Sequence, residues 1–259
     1  MLILLPPSEG KSVPSRGNPL DLDTLTLPAL TKAREAVLDA LVELSSGDPT
    51  VAAETLGVPK TQSELIGLNA SLRTSPSARA DRVYTGVVYD ALSFATLSPA
   101  AKRRASARVL VTSSLFGLVS PADRIPSYRL SGDATLPGLG GVAAHWRAHL
   151  DEAARDALGG GLLVDLRSGT YAAFWRPGPD LARRVATVRV LHEVGGVRKV
   201  VSHFNKATKG RITRDLLEAG ATPRTPAALA DTLRDLGWTV ESGEAGRSGT
   251  QLDVIVTVL

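Results

Sequence analysis

The residues best suited to chemistry in this sequence are lysines, a tyrosine and a histidine that lie in loops or beside apolar segments. The candidate catalytic residues include Lys11, Tyr84 and Lys206. The two lysines are candidates because a lysine near another cation loses its proton readily and then acts as a base or nucleophile. His203 is a fourth candidate, although its apolar surroundings suit a buried structural histidine equally well. Together with Arg129, these residues predict a pocket for a phosphate, a nucleotide or an extruded base.

A larger predicted binding set combines cations, hydroxyls, glycines and one carboxylate. Cations and hydroxyls bind phosphate, and glycine lets the backbone approach a ligand closely. The members of this set are Ser8, Lys11, Thr85, Gly86, Gly117, Tyr128, Arg129, Asp165, Ser168, Lys206, Lys209 and Arg211. The alternative is a collection of unrelated surface groups.

The N-terminal segment Leu2–Ser12 resembles a nucleotide-binding P-loop but lacks its essential features. An apolar run leads into Gly10-Lys11-Ser12, but the motif needs a further glycine where Leu5 stands. Two prolines after that run also remove amide donors from any anion-binding loop. A polar loop after a buried strand is still a usual place for a site, so Ser8 and Lys11 remain candidates.

Positive charge is concentrated in two segments without acidic residues. The chain has 30 Lys and Arg against 26 Asp and Glu, yet Ala101–Arg108 and Ser202–Arg214 each hold four positive charges. These segments predict a polyanion site, and solvated helix faces are the alternative. With three Trp, four Tyr and four Phe, the chain offers little base stacking, so nucleic-acid contacts are expected mainly at phosphates.

A metal centre or other cofactor is not expected. The absence of cysteine excludes disulfides, thiol chemistry and cysteine-based metal sites. His145 and His149 share a helix face, with Glu152 as a conceivable third ligand, but their spacing matches no zinc motif.

The composition predicts one compact domain of mixed α/β class over residues 1–259. Hydrophobic residues make up 43% of the chain, which is typical of a globular protein. We find no apolar run of the roughly 18 residues that a membrane span needs, and no secretory signal. We therefore expect a cytoplasmic protein with no membrane partner.

Several elements can be predicted from local patterns. Leu2–Leu5 and Leu162–Leu166 are apolar runs typical of buried strands. The strands Val185–Glu193 and Arg198–Phe204 are predicted to form a hairpin around two glycines. Gly141–Leu158 and Lys209–Ala219 have the periodicity of helices.

Six segments occur together in an order that is similar to one known family. They are Leu2–Lys11, Val83–Gly86, Ser113–Asp123, Ile125–Leu130, His145-Trp146 and Ser202–Arg211. Their order and spacing over nearly the whole chain resemble the YaaA family of peroxide stress resistance proteins. The resemblance implies a cytoplasmic protein that limits hydrogen peroxide damage linked to free iron. It also implies a cannon-like fold with a helix-hairpin-helix-like element and a basic cleft that binds DNA.

The resemblance can be followed residue by residue. Tyr84-Thr85-Gly86 matches the family's YTG, and Gly117 lies in its L-x-G-x-x-x-P-x-D stretch, which resembles a helix-hairpin-helix turn. Tyr128-Arg129 matches P-x-Y-R, whereas Lys206 and Lys209 match K-x-x-(K/R)-G. The opening PPSEGK belongs to a different sub-branch from that beginning SPAK, on which the iron and peroxide role was inferred.

Two main functions and one weaker one remain open at this point. The first is a stress protein that binds duplex or structured DNA. The second is an enzyme acting on a nucleobase, nucleotide or related small molecule, which a cleft gathering Lys11, Tyr84, Arg129 and Lys206 would favour. The third is a partner-binding protein without chemistry.

Overall fold

The computed structural model describes residues 1–257, apart from the side chains of Lys60, Ser202 and His203. This part of the chain folds into a mixed α/β architecture around a central sheet, which confirms the predicted class. Among its helices, none is both long and apolar enough to cross a lipid bilayer.

The strands alternate with helices along the chain. Within the described residues they are β1 (Leu2–Leu5), β2 (Ala78–Arg79), β3 (Val109–Ser113), β4 (Gly117–Val119), β5 (Arg124–Ile125), β6 (Thr135–Leu136), β7 (Gly140–Gly141), β8 (Leu163–Asp165), β9 (Val185–Val194), β10 (Val197–Lys199), β11 (Thr239–Gly246) and β12 (Gly249–Val256).

The helices range from single turns to segments of 18 residues. Within the same residues they are α1 (Thr31–Ser46), α2 (Pro49–Leu56), α3 (Glu64–Ala70), α4 (Ala80–Val83), α5 (Val87–Leu92), α6 (Pro99–Arg108), α7 (Val142–Leu158), α8 (Gly169–Ala172), α9 (Ser202–Ala219) and α10 (Pro226–Asp235). Short 3-10 helices form at Leu22–Thr24, Pro28–Leu30, Lys60–Gln62, Phe94–Thr96 and Pro179–Arg184.

The central sheet has the strand order β11-β12-β9-β8-β1-β3-β4, with β10 paired to β9. The run from β12 to β3 is parallel, whereas β11 and β4 join its two ends in antiparallel fashion. β1 lies between β8 and β3, and all four of its residues are buried. This burial explains why Leu2–Leu5 is continuously apolar rather than alternating.

The position of β1 also determines where polar loops converge. The chain leaves β1 towards β3 on one side and later returns to β8 on the other. At such a change of direction, the loops after the carboxyl ends of neighbouring parallel strands enclose a crevice. The loops after β1, β3 and β8 therefore meet at one edge of the sheet.

Helix α9 packs closely on α5, and Gly210 makes that approach possible. A Cβ placed on Gly210 would lie 2.2 Å from the carbonyl oxygen of Val88 and 3.0 Å from the amide nitrogen of Leu92. Only a residue without a side chain lets two helix backbones come so near. The glycine of the K-x-x-(K/R)-G stretch is thus explained by packing.

Two local predictions need correction. The predicted strand Arg198–Phe204 ends at Lys199, and helix α9 starts at Ser202. The apolar run was short, and periodicity alone does not separate a strand from a helix at that length. The stretch Ser113–Asp123 forms the β3–β4 hairpin, so it does not lie between two helices as a helix-hairpin-helix turn would.

Candidate functional site

The loop after β1 is fastened to the segment before α5. Ser8 Oγ donates to the carbonyl of Gly10 at 2.7 Å and accepts from the Thr85 amide at 3.2 Å. Lys11 and Tyr84 form an isolated antiparallel bridge, which the bond from the Ser12 amide to the Val83 carbonyl extends. These contacts hold the loop that carries PPSEGK against the YTG segment.

The Lys11 ammonium lies between its own loop and two aromatic rings. Its Nζ donates to the carbonyl of Ser8 at 2.8 Å and is 3.4 Å from that of Glu9. The same atom lies 4.1 Å from the ring centre of Tyr128 and 5.7 Å from that of Tyr84. Burial lowers the pKa of Lys11 to about 7, with a further lowering by Arg129 and a partial opposition by Glu9. A large fraction of this amine is therefore uncharged at neutral pH.

The tyrosines around Lys11 form a buried hydroxyl chain. The Tyr84 and Tyr128 hydroxyls are 3.0 Å apart, and the Tyr128 hydroxyl is 2.8 Å from Ser113 Oγ. Tyr89 stacks on Tyr84 with ring centres 5.4 Å apart. Its hydroxyl donates to the carbonyl of Pro6 at 2.7 Å. Burial raises the pKa of Tyr84, Tyr89 and Tyr128 well above the usual range, so these phenols stay protonated and can donate hydrogen bonds.

Arg129 borders the same site with part of its guanidinium unpaired. The Asn69 side chain clamps its backbone, accepting from the Arg129 amide at 2.8 Å and donating to its carbonyl at 2.7 Å. Nη1 is 3.4 Å from a carboxylate oxygen of Glu9, whose side chain is 83% exposed. The buried Nε has no hydrogen-bond partner among the described residues. Because buried donors are normally satisfied, this Nε needs an acceptor such as a water molecule or a ligand atom.

Tyr171 completes the aromatic surroundings at the Glu9 and Arg129 side. Burial raises its pKa to about 12, Glu9 adds to that rise, and Arg129 opposes it. With Tyr171, all four tyrosines of the sequence gather around the loop that carries Lys11. The Lys11 site is defined here as Lys11, Arg129, Tyr84, Tyr128 and Tyr171.

Asp165 and Lys209 meet in a second, buried cluster after β8. Asp165 pairs with Arg167 at 2.7 Å, and Arg167 also donates to the carbonyl of Trp175 at 2.9 Å. Lys209 Nζ lies 3.4 Å from the Arg167 carbonyl, and burial lowers the pKa of Lys209 against the opposing effect of Asp165. This cluster ties the end of β8 to α9 and to the segment after α8.

The remaining predicted residues are more dispersed. Gly86, Ser168, Lys206 and Arg211 are exposed, with Lys206 and Arg211 on α9. The described residues do not include the His203 side chain, so this candidate lies outside them. Lys206 therefore does not join Lys11, Tyr84 and Arg129 through any hydrogen bond or ion pair described for these residues.

Gly117 lies in the interior rather than at a phosphate-binding surface. It is buried with a φ of 72°, and a Cβ there would lie 2.6 Å from Cζ3 of the Trp146 ring. The Trp146 indole donates to the carbonyl of Ser114 at 2.7 Å, which fixes the ring over the β3–β4 turn. Packing and backbone conformation account for this glycine.

The basic runs are largely engaged in joining helices. Arg104 donates to the carbonyl of Leu217 at 2.6 Å, and Arg108 donates to that of Ala221 at 3.1 Å. Arg214 donates to the carbonyls of Leu92 and Ser93. These guanidiniums satisfy carbonyls at the ends of α9 and α5, where a positive charge is favourable.

A different basic surface comes from arginines that the charge pattern did not reveal. A cavity of about 420 Å³ is lined by Arg16, Arg79, Arg82 and Arg124. Arg79 and Arg124 are directly opposite each other in the antiparallel β2–β5 pair. The four residues come from three separate segments, so no local run indicated them. We call them the arginine pocket.

The two histidines on α7 form hydrogen bonds with nearby backbone carbonyls. His145 Nε2 is 3.0 Å from the carbonyl of Ala33, and His149 Nδ1 is 2.8 Å from that of His145. Within residues 1–257, no cluster of three or more potential ligands suits a metal ion.

Comparison with known proteins identifies the family. Residues 1–243 match the family described as peroxide stress protein YaaA. A UPF0246 protein of Streptomyces coelicolor is 53% identical over 258 residues, covering 99% of this chain and 98% of the relative. Another from Corynebacterium efficiens is 43% identical over 254 residues, with 96% and 98% covered. An uncharacterized protein of Campylobacter jejuni is 27% identical over 210 residues, with 81% and 82% covered. The match spans the Lys11 site and the arginine pocket alike, and the chain belongs to the YaaA family of peroxide stress proteins.

Proposed function

We propose that this protein binds duplex or structured DNA during peroxide stress, and so helps limit damage linked to free iron. The observation that carries the proposal is the arginine pocket, where four arginine residues line one cavity. Arginine forms paired hydrogen bonds to phosphate, and phosphate contacts provide most of the affinity in nucleic-acid binding that does not depend on sequence.

The charges of the arginine pocket are only partly compensated by its neighbours. Arg79 pairs with Asp81 at 2.6 Å, and Arg124 donates to the carbonyl of Ser77 at 2.7 Å. Arg79 and Arg124 occupy facing positions on adjacent strands, so two arginines border the pocket at the same place. A backbone phosphate in the cavity would add an acceptor and a negative charge beside these arginines, and DNA supplies such groups at regular spacing.

The test is fluorescence anisotropy of a labelled duplex at several salt concentrations. We expect binding that weakens with salt, and a slope of log affinity against log salt that falls by about 0.9 for each phosphate contact removed. The variants Arg16→Gln and Arg82→Gln should show that fall. Arg189→Gln is the matched control, because it removes one charge from an exposed ion pair with Asp253 on β9 and β12. Equal slopes in all variants, or no binding at low salt, would refute the proposal.

The Lys11 site favours a second function, namely an enzyme acting on a nucleobase, nucleotide or related small molecule. Its specific support is the unpaired Nε of Arg129 beside an amine of lowered pKa. Native mass spectrometry of the purified protein should find a retained anionic ligand, and Arg129→Gln should release it while Arg189→Gln retains it. If the unaltered protein and Arg189→Gln neither retain a ligand nor bind an added nucleotide, that result would count against this function.

A further inference from the structure

The Lys11 site contains an amine and neighbouring hydrogen-bond donors that suit covalent chemistry on a carbonyl group. An amine attacks a carbonyl carbon only in its uncharged form, so it must lie where the ammonium is disfavoured. Burial and the Arg129 charge disfavour the ammonium of Lys11, and the Tyr128 ring at 4.1 Å, which favours a cation, offsets them only in part. The Glu9 carboxylate, which would favour the ammonium, is exposed and contacts Arg129 instead.

The groups around this amine fit the other needs of such a reaction. The phenols of Tyr84 and Tyr128 remain protonated, and the two hydrogen bonds of the Tyr84–Tyr128–Ser113 chain use two of its three hydroxyl protons. When Ser113 donates towards Tyr128, the Tyr84 hydroxyl is left to donate to a developing oxyanion or hydroxyl. The Arg129 side chain is 22% exposed, its Nε is unpaired and its Nη1 has only a 3.4 Å contact with Glu9, so its guanidinium is suited to an acceptor such as a phosphate oxygen. A substrate that meets both features carries an aldehyde and a phosphate on one small skeleton.

We propose that Lys11 forms an imine with the aldehyde carbon of a phosphate-bearing sugar whose phosphate lies on Arg129. This inference rests on the second function above and names its substrate class. The Lys11 nitrogen donates its lone pair to the aldehyde carbon, and the carbonyl π electrons move to the oxygen. Proton transfer from nitrogen to oxygen gives a carbinolamine. Its hydroxyl takes a proton from solvent and leaves as water, while the nitrogen lone pair forms the C=N bond of a protonated imine. Addition of water reverses each step and restores the amine.

Two sources of this sugar chemistry are available. One is the ring-opened deoxyribose of an abasic site in DNA, which carries phosphates on both sides. The other is a free sugar phosphate such as deoxyribose 5-phosphate. The two sources present the same reacting groups, and they differ only in whether the arginine pocket has a DNA backbone to bind.

The experiment traps the imine by hydride reduction. Full-length protein is incubated with sodium cyanoborohydride and one of three probes: a duplex with a single abasic site, deoxyribose 5-phosphate, or unphosphorylated deoxyribose. Reduction converts the imine into a stable secondary amine, which peptide mapping by mass spectrometry assigns to one lysine. We expect an adduct on Lys11 with at least one phosphate-bearing probe, and at least tenfold less adduct with deoxyribose.

Two variants separate reaction at Lys11 from general lysine modification. Lys11→Arg retains a long basic side chain but cannot form this imine, so the specific adduct should disappear. Lys32→Arg, at an exposed position on α1, should leave it intact. If Lys11→Arg fails to fold, the position of the adduct in the unaltered protein still decides the question. No adduct with any probe, or adducts spread equally over surface lysines, would overturn the proposal.

The outcomes also separate this proposal from DNA binding. An adduct confined to the abasic duplex supports the imine with DNA as the source, and one confined to deoxyribose 5-phosphate supports it with a free sugar as the source. Anisotropy with an intact duplex measures DNA binding independently. Salt-dependent binding without an adduct would refute the imine alone, whereas an adduct without duplex binding would refute DNA binding alone.

Discussion

Lys11 Nζ lies 4.1 Å from the ring centre of Tyr128, while the Tyr128 hydroxyl reaches Ser113 Oγ at 2.8 Å. The Tyr128 side chain thus connects the loop after β1 to the end of β3 through its ring and its hydroxyl. A cation over an aromatic ring is stabilised by about 0.5–2 kcal/mol, with the larger values in desolvated places. That attraction only partly offsets the unfavourable effect of burial on the charged amine, so the pKa of Lys11 remains low.

The lowered pKa of Lys11 predicts a stability that rises with pH. The folded-state pKa is about 7 and that of an unfolded lysine is about 10.4, so the unfolded chain binds more protons between these values. Between about pH 7 and pH 10.4, the titration of Lys11 should therefore increase the free energy of unfolding by up to about 1.4 kcal/mol per pH unit. Below about pH 7, Lys11 should not change the free energy of unfolding with pH. Urea unfolding at a series of pH values, compared with Lys11→Met, measures the contribution.

A control accounts for the general effect of removing a charge. Lys32→Met removes the same charge from an exposed position on α1. The free energy of unfolding of the unaltered protein minus that of the variant should rise with pH for Lys11→Met and remain level for Lys32→Met. The charged groups that act on Lys11 are Arg129 and Glu9, and the adjacent Tyr84 and Tyr128 phenols stay neutral over this range. Parallel pH profiles for the two variants would contradict the prediction.

The Asp165–Arg167 pair predicts a large loss of stability when one partner is removed. Both side chains are buried, so Asp165→Asn leaves the Arg167 charge without compensation and should lower the free energy of unfolding by about 3–5 kcal/mol. Asp253→Asn breaks the exposed pair with Arg189 and should cost only about 0–1 kcal/mol. Urea unfolding of both variants provides the comparison. Similar decreases in the free energy of unfolding would show that the buried pair contributes no more to stability than the exposed pair.

Residue type and order alone indicate much of the Lys11 site. Lys11 follows an apolar strand, and Tyr84 and Arg129 lie in polar segments, so a convergent pocket is a reasonable prediction. The Asn69 clamp on Arg129 could not be predicted, because it depends on how α3 packs against a distant loop. The place of Tyr171 in the site could not be predicted for the same reason.

The charge runs of the sequence and the arginine pocket locate positive charge at different places. The run Ala101–Arg108 is conspicuous in the sequence, yet Arg104 and Arg108 bind carbonyls at the end of α9. The arginine pocket assembles from separate segments and leaves no local signature. Strand and helix positions were better predicted, except where a short apolar run near Ser202 suited either structure.

The role of Arg104 predicts an effect on stability without an effect on DNA binding. Arg104→Gln removes charge-assisted bonds to the carbonyls of Leu217 and Glu218, which should cost about 1–3 kcal/mol. Arg103→Gln removes an equal charge from an exposed neighbour on α6 and should cost much less. Thermal unfolding and duplex anisotropy on both variants test this. An equal loss of DNA affinity in the two would place the DNA contact on α6.

Gly117 predicts strain on substitution rather than a loss of phosphate binding. Gly117→Ala puts a side chain at a φ of 72° and 2.6 Å from the Trp146 ring. The left-handed conformation costs roughly 1–2 kcal/mol and overpacking typically 1–3 kcal/mol, so a loss of about 2–5 kcal/mol is expected. Urea unfolding measures it, and an unchanged stability with weaker DNA binding would restore the phosphate-binding interpretation.

A final comparison uses two glycines inside helices, where propensity and packing act in opposite directions. Gly67→Ala in α3 meets no atom within 4 Å, so the better helix propensity of alanine should raise stability by about 0.5–1 kcal/mol. Gly210→Ala gains the same propensity, but its Cβ would lie 2.2 Å from the Val88 carbonyl oxygen. Because that neighbour is backbone, α5 must move away from α9, and overpacking of about 1–3 kcal/mol should exceed the gain. Urea unfolding should therefore give opposite signs for the two variants. A stabilising Gly210→Ala would mean that the close approach of α5 and α9 does not require glycine.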